Sequence, residues 1–495
     1  MRTNIAHCHI LLRRLFAVTL SAIACASALF AETYTHSWGE NTTWSLNTAD
    51  STFIIEGNGV INGCERNIQI GGNWYNLKHL IKHLVIGEGI TAIGKDNFAE
   101  CLNLTDIQWP SSIDSIGDSA FDGAAALSSV ILPANLRYIS SRAFANCPLL
   151  QTITFPISVE KIEGGAFFGD PLLHFQVEEN HPHLCLLNGV LLSRDLHTII
   201  QAQADISGEY IAPDSVKTIA DYAFYDCTAL SSIILPDGLG SIGSFAISGC
   251  SGLTTLSIPD NVRNIGKGAF YHNANLQSMH LPEGLEVIEQ SVLAGCPKLN
   301  AVNIPEGVTT IGHYAFSNDS ALTTMQIPEG VTYVGNEVFS NCKRLQTIDL
   351  PQSLVSMGSS VFDRCIALQS VTLHGNFQYT SGNLFPFCNG LQFIACEAID
   401  PPVLRYLRNF DFEQVILYVP EESIAAYRTA DVWKDFATIL PLSAMPTAVE
   451  SLQRDVNSSH PYKLLRDNRM YIDCGNYIYN VMGTPVGRSV TTIHY

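Results

Sequence analysis

Residues Val308 to Pro351 read VTTIGHYAFSNDSALTTMQIPEGVTYVGNEVFSNCKRLQTIDLP, and one 23-residue phrase passes through this stretch twice. The aromatic of the "AF" pair serves as a ruler. It falls at Phe98, Phe121, Phe144 and Phe167, then at Phe224, Ile247, Phe270, Leu293, Phe316, Phe339, Phe362 and Phe385, with steps of 23 inside each run. These twelve positions define twelve units. A fixed period of this length is the signature of a stacked repeat architecture.

The unit has a physical reading. The sixth residue after the ruler is Leu throughout, as in Leu104, Leu230, Leu322 and Leu345. The ninth is usually Ile, Val, Leu or Met, and the eleventh is apolar wherever the pattern holds. This alternation describes a short L-x-x-I-x-L strand with one face turned into a core. The twelfth residue is Pro in nine units, among them Pro110, Pro236, Pro328 and Pro351. Proline cannot donate to a sheet ladder, so it ends the strand. A turn such as Glu329-Gly330, a second apolar pair (Val331 and Val334) and Gly335 lead to the next ruler residue. One unit cannot bury its apolar positions alone, so the units must stack.

The phrase resembles the repeat of the BspA-like leucine-rich repeat family, L-x-x-I-x-L-P-x-x-(L/V)-x-x-I-G-x-x-A-F-x-x-C. Period, Pro, Gly, AF and Cys fall at the family's offsets over roughly residues 86 to 400. The resemblance implies a mainly β repeat protein. It would be a leucine-rich repeat solenoid, a right-handed coil with a parallel β-sheet on its concave face, a β-rich N-terminal cap and a small C-terminal cap and tail. Such proteins belong to bacterial surfaces, many of them in Bacteroidetes. The expected location is therefore secreted or cell-surface, on the outer-membrane exterior of a Gram-negative cell.

Charge narrows the partners. The chain carries a net charge of −19, and removing Arg2, Arg13 and Arg14 with a leader leaves about −22. Nucleic acid is disfavoured, because phosphate contacts need clustered Lys and Arg. Residues 1–31 read as a signal peptide, with Arg13 and Arg14 before an apolar run and cleavage expected near Ala31. Cys25 in AIAC loosely matches a lipoprotein box, but Ala22 stands where Leu is usual. No later run is long enough to span a bilayer.

Residues 32–85 read as an N-terminal cap of short strands, in which Trp38, Trp44 and Trp74 plug the first coil or form a sugar platform. The repeat array occupies 86–400, with an insertion at 175–211 whose Asn188-Gly189 lies between two apolar runs, a hairpin signal. His174, His181 and His183 lie there near Glu178, Glu179 and Asp195, but no metal site is assigned. Residues 401–445 form a C-terminal cap, with Ser423 read as the N-cap of a helix over Ile424–Trp433 and Ile424, Tyr427 and Trp433 covering the last coil. A linker at 446–460 precedes a small β tail at 461–495, which resembles a secretion or sorting signal; a plain terminal hairpin is the other reading.

Of the chain's fourteen cysteines, eight sit three residues after a ruler position: Cys101, Cys147, Cys227, Cys250, Cys296, Cys342, Cys365 and Cys388. The remaining units place Ala124, Asp170, Asn273 and Asp319 there. A position that accepts these four residue types is small and buried, so the thiols are read as packing groups rather than bridges.

The strand positions that point away from the core are seven, eight and ten after the ruler. They form a ladder rich in Thr, Ser, Gln and Asn: Thr254 and Thr255, Gln277 and Ser278, Asn300 and Asn303, Thr323, Thr324 and Gln326, Gln346 and Thr347, Gln369 and Ser370. Such a face offers many donors and acceptors with little ionic desolvation cost. It is the candidate ligand-binding face for a protein or glycan on a host or neighbouring cell. A structural spacer without a ligand and a polysaccharide-binding protein are the rival readings. No catalytic motif, cofactor loop or metal-ligand spacing is present, so the chain is not read as an enzyme.

Overall fold

The computed structural model describes residues 32–38, 41–61 and 73–445, together with the backbone of four short strands between 462 and 487. The leader and the linker lie outside the described residues. The chain is a solenoid of about 16 turns with mostly parallel sheets.

Each coil has three sides. The first carries the strand read from the sequence, for example Thr255–Ser257, Ser278–His280, Thr324–Gln326 and Thr347–Asp349. Neighbouring coils pair in parallel with a register of one period, Thr255 on Ser278 and Thr324 on Thr347. In the coil that ends at Pro328 the strand stops at Gln326, two residues before the proline.

The second side carries two-residue strands, each ending at the second apolar position of the pair that follows the turn, as at Val334. Ser115–Ile116, Tyr138–Ile139 and Lys161–Ile162 pair in parallel, as do Thr310–Ile311, Tyr333–Val334, Ser356–Met357 and Tyr379–Thr380. The second residue of each is buried, and the first is too only at Ser356, so no alternation long enough to announce a strand exists.

The third side is the turn around the ruler residue. Residues two before and two after it take left-handed backbone, among them Arg142 and Asn146, Tyr222 and Asp226, and Glu337 and Asn341. Alternating handedness aims every second N–H group along the solenoid axis and leaves those between them to bond within their own coil. Phe121 donates to Ala143 O at 2.8 Å, Gly123 to Ala145 O at 2.8 Å, and Phe339 to Val361 O at 2.9 Å. The turn is therefore a third inter-coil ladder, and those bonds hold non-glycine residues in a conformation that costs roughly 1–2 kcal/mol each.

The ruler side chains stack inside. Phe98, Phe121, Phe144 and Phe167 lie with ring centroids 5.5, 5.2 and 5.9 Å apart and nearly parallel. Phe316, Phe339, Phe362 and Phe385 repeat the pattern.

The core is divided in two. One cluster runs from Trp38 to Ile200 and the other from Val190 to Ile439. The insertion forms the boundary. Leu184–Leu187 and Val190–Ser193 make an antiparallel hairpin across Asn188 (φ +49°) and Gly189 (φ +78°), and Thr198–Ala202 adds a third strand. Leu184, Leu191 and Ile200 pack into the first cluster, while Val190, Leu192 and Ile199 pack into the second. Alternate residues of a strand face opposite ways, so this small sheet is a wall with a core on each side.

The ends are closed by aromatic residues. Trp38, Trp44 and Trp74 are buried, with Trp38 5.0 Å from Trp74 and Trp74 5.7 Å from Phe98. They plug the first coil and offer no open platform. At the other end the sequence-based helix is corrected: it spans only Ile424–Tyr427, and Ser423 makes no capping bond. Val432 takes a left-handed φ of +70°, which breaks the run, and Trp433 begins a separate short turn. The sheet continues instead through Phe393–Cys396, Ile416–Val419 and Ile439–Pro441. Tyr427 and Trp433 do enter the core, where Tyr427 Oη donates to Ala398 O at 2.8 Å and Trp433 Nε1 to Pro402 O at 2.7 Å. The tail strands Tyr462–Arg466, Arg469–Asp473, Ile478–Asn480 and Pro485–Gly487 form an antiparallel sheet of their own.

Candidate functional site

The side chains of the ladder stand on the first side of the coils because the strand's alternate residues are locked in the core. Leu253, Leu256 and Ile258 are buried while Thr254, Thr255 and Ser257 are exposed. Gln277, Ser278, Asn300, Thr324, Gln326, Gln346 and Gln369 are likewise exposed, and Asn303, Thr323, Thr347 and Ser370 are half-buried. Main-chain bonds line these residues up in columns: Gln277 N donates to Thr254 O, Asn300 N to Gln277 O, Gln346 N to Thr323 O and Gln369 N to Gln346 O. The coil spacing of about 4.8 Å expected for paired strands sets the repeat of the columns.

Asn303 is committed elsewhere. Its Oδ1 accepts the Leu281 N–H at 3.0 Å and its Nδ2 donates to Leu281 O at 3.3 Å, so its amide is spent inside the sheet. Conversely, Gln392 extends the glutamine column, with its N–H on Gln369 O at 2.8 Å and its side chain exposed. It sits seven after Phe385, so the repeat itself carried the signal. The same face bears apolar residues open to water. Ile211 lies opposite Ile234, exposed by 60% and 47%, and Ile131 is exposed by 88%.

Charge frames this uncharged stretch. Before it, His83 Nδ1 meets Asp106 Oδ2 at 2.6 Å and Glu209 Oε2 accepts the Ser232 hydroxyl at 3.1 Å. After it, His374 Nδ1 meets Glu397 Oε2 at 2.8 Å; Asp349, whose carboxyl burial raises above its usual range, stands within the ladder between Thr347 and Gln369. The histidines of the insertion go to separate partners. His174 Nε2 pairs with Asp205 Oδ2 at 3.0 Å. His181 is buried; its Nδ1 accepts the N–H groups of His183 and Leu184, and its Nε2 donates to Pro156 O at 3.1 Å.

A second concavity opens on the short-strand side. Asn264–Ile265 and Val287–Ile288 belong to different sheets, and a groove of about 780 Å³ lies between them. Arg263 and Lys267 line one lip, Glu286 and Glu289 the other. At the equivalent place earlier in the array the coils are shut: Arg137 Nη2 meets Glu160 Oε1 at 2.7 Å and Glu160 N donates to Arg137 O at 2.9 Å. Arg263 Nη1 donates instead to the main-chain carbonyls of Asp260, at 2.5 Å, and Val262, at 3.2 Å.

Ten cysteines fall within the described residues and all are free thiols, nine of them buried. No helix among the described residues is long and apolar enough to cross a membrane.

Parallel strands one period apart, a leucine at each strand start and a polar strand face define a leucine-rich repeat scaffold. The model of the BspA type leucine rich repeat region matches six copies, over residues 68–184, 207–323 and 309–414. The chain belongs to this family. Among solved structures, a leucine-rich repeat protein from Eubacterium ventriosum is 22% identical, covers 73% of this chain and 95% of its own, and superposes with a TM-score of 0.53. A leucine-rich repeat protein from Bacteroides ovatus is 24% identical over 68% of this chain and 93% of its own, with a TM-score of 0.36. A leucine rich cell surface protein from Faecalibacterium prausnitzii is 21% identical over 68% and 93%, with a TM-score of 0.40. No curated protein matches the chain in sequence.

Proposed function

We propose that this protein is a secreted or surface-displayed adhesin that binds a macromolecule, a protein or a glycan, across the polar strand face that runs from Thr254 to Ser370. The observation that carries the reading is the run of exposed, uncharged Thr, Ser, Gln and Asn side chains held in register by inter-coil main-chain bonds. Columns with a fixed backbone present donors and acceptors with little main-chain ordering cost at binding. The exposed isoleucines at 211 and 234 add an apolar anchor at the edge of the same face. Extended surfaces of this kind are what solenoids use for binding, and membership of the repeat family favours the surface location.

The test is binding of residues 32–445 to immobilised matrix proteins, mucins and glycans. A variant carrying Thr324→Asp, Thr347→Asp and Ser370→Asp runs beside it. Saturable binding that weakens tenfold or more in the variant, about 1.4 kcal/mol, is the expected result. Binding that the three acids leave untouched would move the site off this face, and no binding by a folded sample would favour a structural spacer.

A further inference from the structure

The position three after the ruler forms a column of buried side chains with a constant task. In seven coils it donates to the ruler carbonyl of the preceding coil, 26 residues back. Cys147, Cys250, Cys296, Cys342, Cys365 and Cys388 give S–H bonds to the carbonyls of Phe121, Phe224, Phe270, Phe316, Phe339 and Phe362, at 3.5, 3.0, 3.4, 3.2, 3.0 and 2.8 Å. Asn273 does the same with Nδ2, on Ile247 O at 2.8 Å.

Two coils carry Asp at this position. Asp170 Oδ1 accepts the Cys147 N–H at 2.6 Å, and Asp319 Oδ1 accepts the Cys296 N–H at 2.7 Å. In six other coils that N–H closes on its own ruler carbonyl, as Ala124 does on Phe121 and Cys342 on Phe339, both at 3.1 Å. Diverting it strips Phe144 O and Leu293 O of their local donor, and neither receives another among the described residues. Asp170 Oδ2 and Asp319 Oδ2 are buried and also lack a partner. The 26-residue step that governs the other coils sets Phe144 O against Asp170 and Leu293 O against Asp319. Each place therefore holds two buried oxygens and no hydrogen between them, an arrangement that leaves the desolvation of both oxygens uncompensated. One proton satisfies both.

We propose that Asp170 and Asp319 are neutral carboxylic acids in the folded protein at neutral pH, each donating its Oδ2 proton to the preceding ruler carbonyl, so that the solenoid loosens as its surroundings turn alkaline. The groups around them supply no opposing charge. Asp170 faces the Cys147 thiol and Asp122, whose charge is taken up by Arg142, and Asp226 lines the small cavity that Asp170 borders. Asp319 lies between the Cys296 and Cys342 thiols. Burial pushes the Asp170 carboxyl up to about 9 and raises that of Asp319 well above the carboxylate range. An unfolded aspartate releases its proton near pH 3.9. Above that pH the folded chain holds more protons than the unfolded one, so stability falls as pH rises, until the folded acids themselves ionise.

The double variant Asp170→Asn, Asp319→Asn keeps an acceptor and a donor but cannot titrate. Its melting midpoint should exceed that of the wild type by an amount that grows from about pH 5 to about pH 9. Infrared spectra of the folded wild type at neutral pH should show the C=O stretch of a buried carboxylic acid, absent in the variant. If the asparagine variant does not fold, Asp170→Cys with Asp319→Cys, the residue of eight other coils, provides the same comparison. Parallel pH profiles, or a wild-type spectrum without the acid band, would overturn the proposal.

Discussion

Ser291 shows how much of this fold rests on single residues in costly conformations. It lies two before Leu293 with a φ of +57°, where other coils place Gly165 and Gly268. Its N–H is fixed on His313 O at 2.9 Å, so the neighbouring coil holds the conformation rather than the residue choosing it. Ser291→Gly should therefore stabilise the protein by about 1 kcal/mol, measured as a rise in the denaturant midpoint at unchanged slope. The opposite outcome would mean that the side chain itself supports the turn. The residue scale is also where the sequence was least legible. Arg142, Tyr222 and Glu337 carry no sign that they will be left-handed, because the cause is the ladder between coils. The leucines, prolines and ruler aromatics were readable because each acts on its own backbone or its own burial.

Elements divide the same way. The strand at Thr324–Gln326 was legible from alternation and from Pro328. The strand at Tyr333–Val334 was not, since two residues give no period. The helix expected to run to Trp433 stops at Tyr427, where closure by sheet and aromatic packing prevails over local propensity. That closure can be tested. Tyr427→Phe keeps the ring but removes the hydroxyl that donates to Ala398 O, leaving a buried carbonyl short of a donor. A loss of about 1–2 kcal/mol is expected in chemical denaturation. The polar face was legible as a set of positions, yet its working parts were not: Asn303 is occupied within the sheet, and Gln392 joins the column.

At the scale of the molecule, the hairpin wall separates two cores, and a repeat protein's stability is a sum over coils and their contacts. Thermal unfolding should show two transitions. Phe144→Ala, costing about 3–5 kcal/mol, should lower only the transition of the first half, and Phe339→Ala only that of the second. Calorimetry in which both variants shift one common peak would show that the wall transmits disorder rather than containing it. The run LCLLNGVLLS already held the clue, since a strand apolar on both faces must be covered on both.

The wall is also bonded unequally. Its third strand pairs with Thr218–Ile219 of the second half, whereas the short-strand sheet of the first half ends at Lys161–Ile162. On that side the joint consists of apolar packing, the Phe168 and Tyr222 rings 4.2 Å apart, and isolated bonds such as Phe167 N–H to Gln201 Oε1. If the molecule is held at one end and pulled at the other, this seam is where the first half should separate from the second. It should part before the ladder-bonded joint to Thr218–Ile219, and leave the coils that carry the polar face still wound.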